Sequence, residues 1–325
     1  MTTYASLTSD QQVELLRMVA TRGALEFRLE PVDLDLVLHG FNTTFKVTGS
    51  DGVPVALRVN TNSFSTLANI TVQCAWTRAL ATDTDVRVPD PLRTFAGADA
   101  AVVSGGDQEF IVTAASWLDG DDVGQCATEQ AHALGRAMAT MHEHAATFVI
   151  PEGGELSTFT DPFYGDADHL RPAYTDRSED LALVEWAWGR CLKAMRDVAE
   201  SEPSIVIHGD LHGGNLKWHD GSLAVFDFDD CGLGTAILDL AIAVFYLRGE
   251  DSTLEGALRA GYAEVRAIPS CEPAVFDAMV AHRQLLLAND LLRTQTPELK
   301  DMQSDYLDTT VSRLSRWRES GSFTR

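Results

Sequence analysis

The stretch IVIHGDLHGGNLKWHDGSLAVFDFDD, Ile205–Asp230, decides how the chain is read. It opens on an apolar run and then packs His208, Asp210, His212 and Asn215 into one short loop. A second apolar run ends at Asp227, Asp229 and Asp230. Both runs are short and rich in β-branched or aromatic residues, and Gly, Asn and Asp bound them, so the pattern predicts strand, loop, strand. Polar groups gathered in such a loop can hold a metal, run acid–base chemistry or decorate a turn.

Two opposed chemistries compete for this stretch. Hydrolases of phosphate esters that carry two metals use a GDxHG loop after a strand, and Gly209–Gly213 matches it. Their metals need further Asp, Asn and His ligands on loops before and after. No D-x-H leads from a strand upstream, and neither GN-H nor GD-x-x-D-R-G follows, so that set is incomplete. Phosphoryl transfer needs a carboxylate for the attacking hydroxyl, ligands for the Mg²⁺ that bridges nucleotide phosphates, and a cradle for those phosphates. Here the spacing fits throughout. Asp210 accepts the hydroxyl's proton or orients it, and Asn215 and Asp227 supply hard oxygen ligands. Pairing of the two apolar runs with each other would bring Asp227 beside Asp210 and Asn215.

Outward from this stretch the chain has two textures. A first helix, with Ser9 and Gln12 fitting a capping box, precedes three antiparallel strands in DLVLHGFNTTFKVTGSDGVPVALRVNT. A helix follows over FSTLANITVQCAWTRALA. Then VRVPDPLRTF and the hairpin AVVSGGDQEFIVTAASWLDG read as further strands. From Asp121 onward helices dominate, beginning with the amphipathic EQAHALGRAMATMHEHAATF, where His142 is structural and His144 lies on the surface. A Gly/Pro/Asp-rich loop, GGELSTFTDPFYGDADH, and the helix HRQLLLANDLL flank the central stretch, and a polar tail ends the chain.

HGDLHGGN, DFDD and ILDLA in this order and spacing resemble the catalytic loop, metal segment and following helix start of the aminoglycoside phosphotransferase / choline kinase family, relatives of the eukaryotic protein kinases. The resemblance extends over nearly the whole chain. It implies an α+β, two-lobed protein-kinase-like fold, with an N-terminal antiparallel sheet lobe and a larger, mainly helical C-terminal lobe. The nucleotide-binding lobe would span 1–115, the hinge 116–120, and the helical lobe with the catalytic loop and acceptor site 121–325. ATP and Mg²⁺ would be the cofactors. By position, Asp210 matches the catalytic aspartate, Asn215 and Asp227 the magnesium ligands, and His208 a bracing histidine. AASWLDG resembles the hinge, where backbone at Ser116 and Leu118 would meet adenine. LHGFNTTFKV resembles the phosphate-covering turn, with Asn42, Thr43 and Thr44 offering backbone N–H groups.

Two positions depart from the family's pattern. Arg58 stands where the third strand usually supplies a lysine to the nucleotide phosphates, and Gln73 stands by register where a helix supplies its glutamate partner. Arginine keeps the cation but presents a bulkier fork. Asp229 is left between a second magnesium ligand and a turn cap, and Asp230 reads as solvated or capping. Asp239 caps its helix and braces the catalytic loop, while Asn289 and Asp290 are candidates for the acceptor wall. The implied function is transfer of phosphate to a hydroxyl of a small molecule of aminoglycoside-, choline-, homoserine- or sugar-like type. The alternatives are a bacterial Ser/Thr protein kinase of the same family and a nucleotide-binding pseudokinase.

Bulk composition agrees. The 325 residues carry a formal charge of −23, which disfavours nucleic acid and anionic membrane surfaces and mildly favours a cationic acceptor. Five scattered cysteines without a C-x-x-C pair indicate reduced thiols rather than a disulfide frame or zinc site. With no basic start followed by an apolar stretch and no spanning run, a cytoplasmic location is expected.

Overall fold

The computed structural model describes residues 3–63, 65–249 and 252–325. Its N-terminal part is a five-stranded antiparallel sheet of β1 (Pro31–His39), β2 (Thr43–Gly49), β3 (Pro54–Val59), β4 (Ala101–Gly105) and β5 (Gln108–Ser116), in the order β1-β2-β3-β5-β4. Alternation sorts its two faces. Phe45, Val47, Val55, Leu57 and Val59 are buried on one side, and Lys46, Ala56 and Arg58 occupy the other. The buried side is closed by α1 (Ser9–Glu26), whose Leu16, Val19, Ala20 and Ala24 share a core with Phe45, Leu57, Phe110 and Val112. The approach is close: a Cβ at Gly23 would stand 2.8 Å from Val112 Cγ1.

Helix α1 begins one residue earlier than the expected box. Thr8 and Gln11, rather than Ser9 and Gln12, exchange the side-chain and backbone bonds. The segment VRVPDPLRTF is no ladder strand. It makes only isolated bridges at Arg87 and Pro91, because Pro89 and Pro91 have no N–H to give. Although α2 (Leu67–Asp83) falls within the first 115 residues, its Trp76 and Leu80 join the core of the helical lobe.

The helical lobe contains α3 (Thr128–Ala145), α4 (Ser178–Ser201), α5 (Ala236–Leu247), α6 (Thr253–Val265), α7 (Pro273–Leu291), α8 (Pro297–Asp301) and α9 (Gln303–Ser320). Among the described residues five short strands are inserted between them: β6 (Asp121–Asp122), β7 (Ile205–Ile207), β8 (Leu216–His219), β9 (Ser222–Val225) and β10 (Gly232–Gly234). Helices α3 and α6 cross almost in backbone contact, since a Cβ on Gly135 would lie 2.0 Å from the Leu258 carbonyl oxygen. Helix α7 is buried on nearly every face, which marks it as the lobe's central element.

The two apolar runs of the central stretch do not pair with each other. β7 pairs with β10, and β9 pairs with β8. The polar tail is largely the helix α9, which buries Thr310, Leu314 and Trp317 at helical spacing. His144 is not a surface residue. Its side chain is 11% exposed and accepts a hydrogen bond from Trp76 Nε1. All five cysteines are unpaired, and among the described residues no helix is long and apolar enough to cross a membrane.

Candidate active site

The floor of the interlobe cleft is the loop after β7. Gly209 takes φ +78°, and a Cβ there would stand 2.5 Å from the Asp230 carbonyl oxygen, so no other residue fits without strain. Beneath it lies Asp239, fully buried in the first turn of α5. Its carboxylate accepts from His208 N–H at 3.3 Å, Gly209 N–H at 2.9 Å and His142 Nε2 at 3.0 Å. Burial pushes the Asp239 carboxyl up, but the hydrogen bond and charge of His142 outweigh it and hold the group below its ordinary value. Asp239 is therefore a brace. The cap of α5 is Thr235, whose hydroxyl accepts from Leu238 N–H.

His208 ties the loop to the strand that returns. Its Nδ1 accepts from Asp210 N–H at 3.3 Å, so the proton sits on Nε2, which donates to the Phe226 carbonyl at 3.1 Å. Phe226 N–H in turn donates to the Asn215 carbonyl at 3.0 Å. The β8–β9 hairpin and these bonds together align Asp210, Asn215 and Asp227.

Both oxygens of Asp210 are engaged. Oδ1 pairs with Arg283 Nη2, and Oδ2 accepts from Asn215 Nδ2 at 3.0 Å and faces His212 Nε2 at 3.4 Å. Burial pushes the carboxyl up, but Arg283 and then His212 bring it down to about 2, so it is ionised at neutral pH. His212 Nδ1 accepts from Gly214 N–H at 3.0 Å, which leaves Nε2 as the donor toward Asp210. Asn215 also gives Nδ2 to the Asp210 carbonyl at 2.9 Å, and it is buried just behind the cavity wall rather than lining it.

Across the cleft, Asp227 sits in the left-handed region at φ 62° and ψ 67°. Asp tolerates this region better than most residues, yet it costs roughly 1 kcal/mol and is typical of functional positions. Arg58 of β3 reaches over to pair with both Asp227 and Asp229. Asp229 is further held by Asn42 Nδ2 at 3.1 Å, Ser63 Oγ at 3.1 Å and Ser65 Oγ at 2.9 Å. Asp227 stays 40% exposed and Asp229 only 12%, so Asp227 is the carboxylate open to a ligand and Asp229 the joint between lobes. Gln73 does not partner Arg58. It donates to the Asp229 carbonyl at 2.9 Å, and the two acidic side chains of the opposite lobe take the glutamate's place. Arg58 Nε–H is buried without a partner among the described residues.

The expected nucleotide contacts divide. Asn42 lines the cavity and pins the turn after β1, its Oδ1 accepting from Thr61 N–H at 3.1 Å. Thr43 and Thr44 are already strand residues. They pair with His39 and Leu38 on one side and with Val59 and Arg58 on the other. The Ser116 N–H is bonded to the Asp90 carbonyl at 2.9 Å. Ser116 and Leu118 lie at the lobe junction, outside the cavity wall. Beside them, Lys46 of β2 and Lys217 of β8 stand over the Trp117 ring at 4.8 and 5.4 Å, one cation from each lobe.

A cavity of 590 Å³ brings Asn42, Arg58, Asp210 and Asp227 together. Its far wall carries Tyr164, Asp230, Asp290 and Arg283. Asp290 thus lies where the sequence suggests, whereas Asn289 is fully buried and instead holds the loop at His169 and Leu170 N–H. Asp230 is not merely a solvated cap, since it faces Arg283 Nη1 at 3.9 Å. Two wall residues escape sequence reasoning. Arg283 is signalled only as a charge inside the apolar run of α7. Tyr164 has no signal beyond its loop, yet it adopts φ 57°, stacks on Phe159 at 3.7 Å and buries a hydroxyl without a partner among the described residues. No group of three His, Cys, Asp or Glu residues is arranged for a metal among the described residues, so a cation here would depend on few protein oxygens and on its ligand.

Residues 36–273 match the profile of the phosphotransferase enzyme family. Amicoumacin kinase of Bacillus subtilis (strain 168) is 24% identical over 174 residues, which are 52% of this chain and 50% of that protein. The chain spans about half the length of the curated relatives it matches. The structure of a microcompartment-associated aminopropanol kinase superposes with a TM-score of 0.80 at 22% identity, over 94% of this chain and 98% of that one. The amicoumacin kinase hAmiN, in complex with AMP-PNP, Ca²⁺ and Ami, superposes with a TM-score of 0.73 at 19% identity, over 91% and 92% of the two chains. These likenesses show a shared fold, the two-lobed protein-kinase-like one.

Proposed function

The chain belongs to the phosphotransferase enzyme family, and from that premise we propose that it transfers the γ-phosphoryl group of ATP to a hydroxyl of a small molecule. The observation that carries the reading is that Asp210, Asp227 and Arg58 line one and the same cavity. The acceptor hydroxyl would donate its hydrogen bond to Asp210. A carboxylate held ionised and fixed on both oxygens is suited to orienting that hydroxyl. As the hydroxyl oxygen bonds to the γ-phosphorus and the bond to the ADP oxygen breaks, the hydroxyl proton passes to Asp210 and on to solvent. Arg58, with its unpartnered Nε–H, would meet the nucleotide phosphates.

Asn215 Oδ1 and Asp227 fit a magnesium ion. Both are hard oxygen donors, and Mg²⁺ in nucleotide sites takes one or two protein oxygens and fills the rest with phosphate and water. When bound, the ion neutralises charge on the phosphate oxygens. The acceptor is read as a small hydroxylated molecule carrying an ammonium group. Asp230 and Asp290 on the far wall support this, as do the names of the amicoumacin and aminopropanol kinases. A pseudokinase is the second reading, favoured by the pairing of Arg58 with both carboxylates of the metal segment.

Labelled ATP with Mg²⁺, offered with aminopropanol, homoserine, choline, an aminoglycoside and a sugar, separates the two. Label in an acceptor supports the phosphotransferase. Tight MgATP binding with label transferred neither to an acceptor nor to water supports the pseudokinase.

A further inference from the structure

We infer that Arg283 is a positioning residue, which fixes the Asp210 carboxylate for the attacking hydroxyl by closing a ring through Asp210, His212 and Tyr246. The inference rests on the phosphotransferase reading and assigns a role to a residue outside its motifs. The ring is continuous. Arg283 Nη2 pairs with Asp210 Oδ1, and Asp210 Oδ2 faces His212 Nε2 at 3.4 Å. The His212 ring stacks on Tyr246 at 4.3 Å and 23°. Arg283 Nε donates to the Tyr246 hydroxyl at 3.1 Å. A further Arg283 bond, from Nη1 to the Gly209 carbonyl at 3.4 Å, ties the guanidinium to the loop backbone as well as to its carboxylate.

Burial makes the arrangement specific. Arg283 is 3% exposed on the central helix α7, so its guanidinium cannot swing out to water. A free carboxylate rotates about its Cβ–Cγ bond through a broad well. One held by an arginine fork on one oxygen and an amide on the other does not, and misplacement by about 1 Å can cost on the order of 100-fold in rate. Lysine at this site would retain the charge but not the fork that reaches Asp210, Gly209 and Tyr246 together. Asp230 stands farther from the guanidinium, 3.9 Å from Nη1. The competing role, direct capture of the acceptor by Arg283, predicts a different kinetic signature.

The test is a double-mutant cycle on the full chain, with MgATP and water as the acceptor, read as single-turnover release of labelled phosphate. Arg283→Met should lower the rate about 100-fold in the wild-type background and less than about 3-fold in Asp210→Asn, with MgATP affinity unchanged. Arg283→Lys should recover part of the loss and serves if the methionine variant does not fold. An equal loss in both backgrounds overturns the inference and leaves Arg283 a structural residue. No loss with water, but a raised KM for any acceptor that accepts label, also overturns it in favour of acceptor capture. Wild-type turnover by Asp210→Asn would instead contradict the phosphotransferase reading. In that event, and if wild-type turnover is undetectable, the ¹⁵N-labelled Arg283 guanidinium decides. A restrained signal lost in Asp210→Asn supports the ring, and an unchanged signal overturns it.

Discussion

The floor and the roof of the cleft are held in opposite ways. The floor, His208 to Asn215, is fixed by groups of its own lobe: Asp239, His142, the Phe226 carbonyl and Arg283. The roof residues Arg58 and Asn42 meet the floor through Asp227 and Asp229. A floor built from buried, mutually satisfied charges keeps its geometry without a ligand, which is what preorganised catalysis requires. A roof anchored to carboxylates that a cation would claim changes its bonds when that cation arrives. On the proposed function, the reacting groups are held within one lobe and the contact with the other sets when they can act.

Removing the brace should break the floor most severely. Asp239→Ala deletes the acceptor of two loop N–H groups and of buried His142, and is expected to lower unfolding free energy by about 3–5 kcal/mol in a denaturant titration. A loss below about 1 kcal/mol would mean the floor is not held from beneath.

Variants at the contact between roof and floor should leave stability nearly intact and act on ligands. Asp227→Ala is expected to abolish the magnesium dependence of nucleotide binding, weakening MgATP on the order of 100-fold by calorimetry. Arg58→Met is expected to raise the KM for MgATP roughly 10-fold with little change in floor stability, a hydrogen-bonded charge contributing about 1.5–3 kcal/mol. If it instead costs as much stability as Asp239→Ala, the contrast between floor and roof fails.

The most gradual effect is in pH. Burial pushes the His282 imidazole down to about 3, with Arg283 adding to the shift, and burial also lowers buried His208. A group whose folded value is depressed binds its proton more readily when unfolded. Stability is therefore fully present above the ordinary histidine range and falls as pH drops below about 6.5, with a limiting slope of about 1.4 kcal/mol per pH unit per histidine. Thermal melts from pH 7.5 to 4.5 should show this decline, and His282→Phe should flatten it. An unchanged acid slope in that variant would place the acid sensitivity elsewhere.

Much of the floor was legible because its motif is local. His208, Asp210 and Asn215 lie in one loop, and Asp227 follows one hairpin later, so spacing alone could align them. The bonding was less legible. Spacing suggested that the two apolar runs pair, whereas His208 and Phe226 make the link through a side chain and a carbonyl. The role expected of Gln73 was drawn from register along one helix. The actual partners of Arg58 come from the other lobe, 169 residues away in the case of Asp227. Arg283 and Tyr164 were hidden for the same reason, since a charge in a core helix and a left-handed tyrosine gain meaning only beside the cavity. The helix in the polar tail was hidden because α9 buries only a narrow stripe, Thr310, Leu314 and Trp317, under a polar composition.

The proposed role of Asp210 as the chemical centre of a magnesium- and ATP-dependent phosphotransferase stands or falls on wild type against Asp210→Asn, compared for MgATP affinity and single-turnover phosphate transfer on the same preparations. Affinities within about 3-fold of each other and transfer reduced on the order of 10³-fold in the variant are expected. Transfer at the wild-type rate by Asp210→Asn would contradict it.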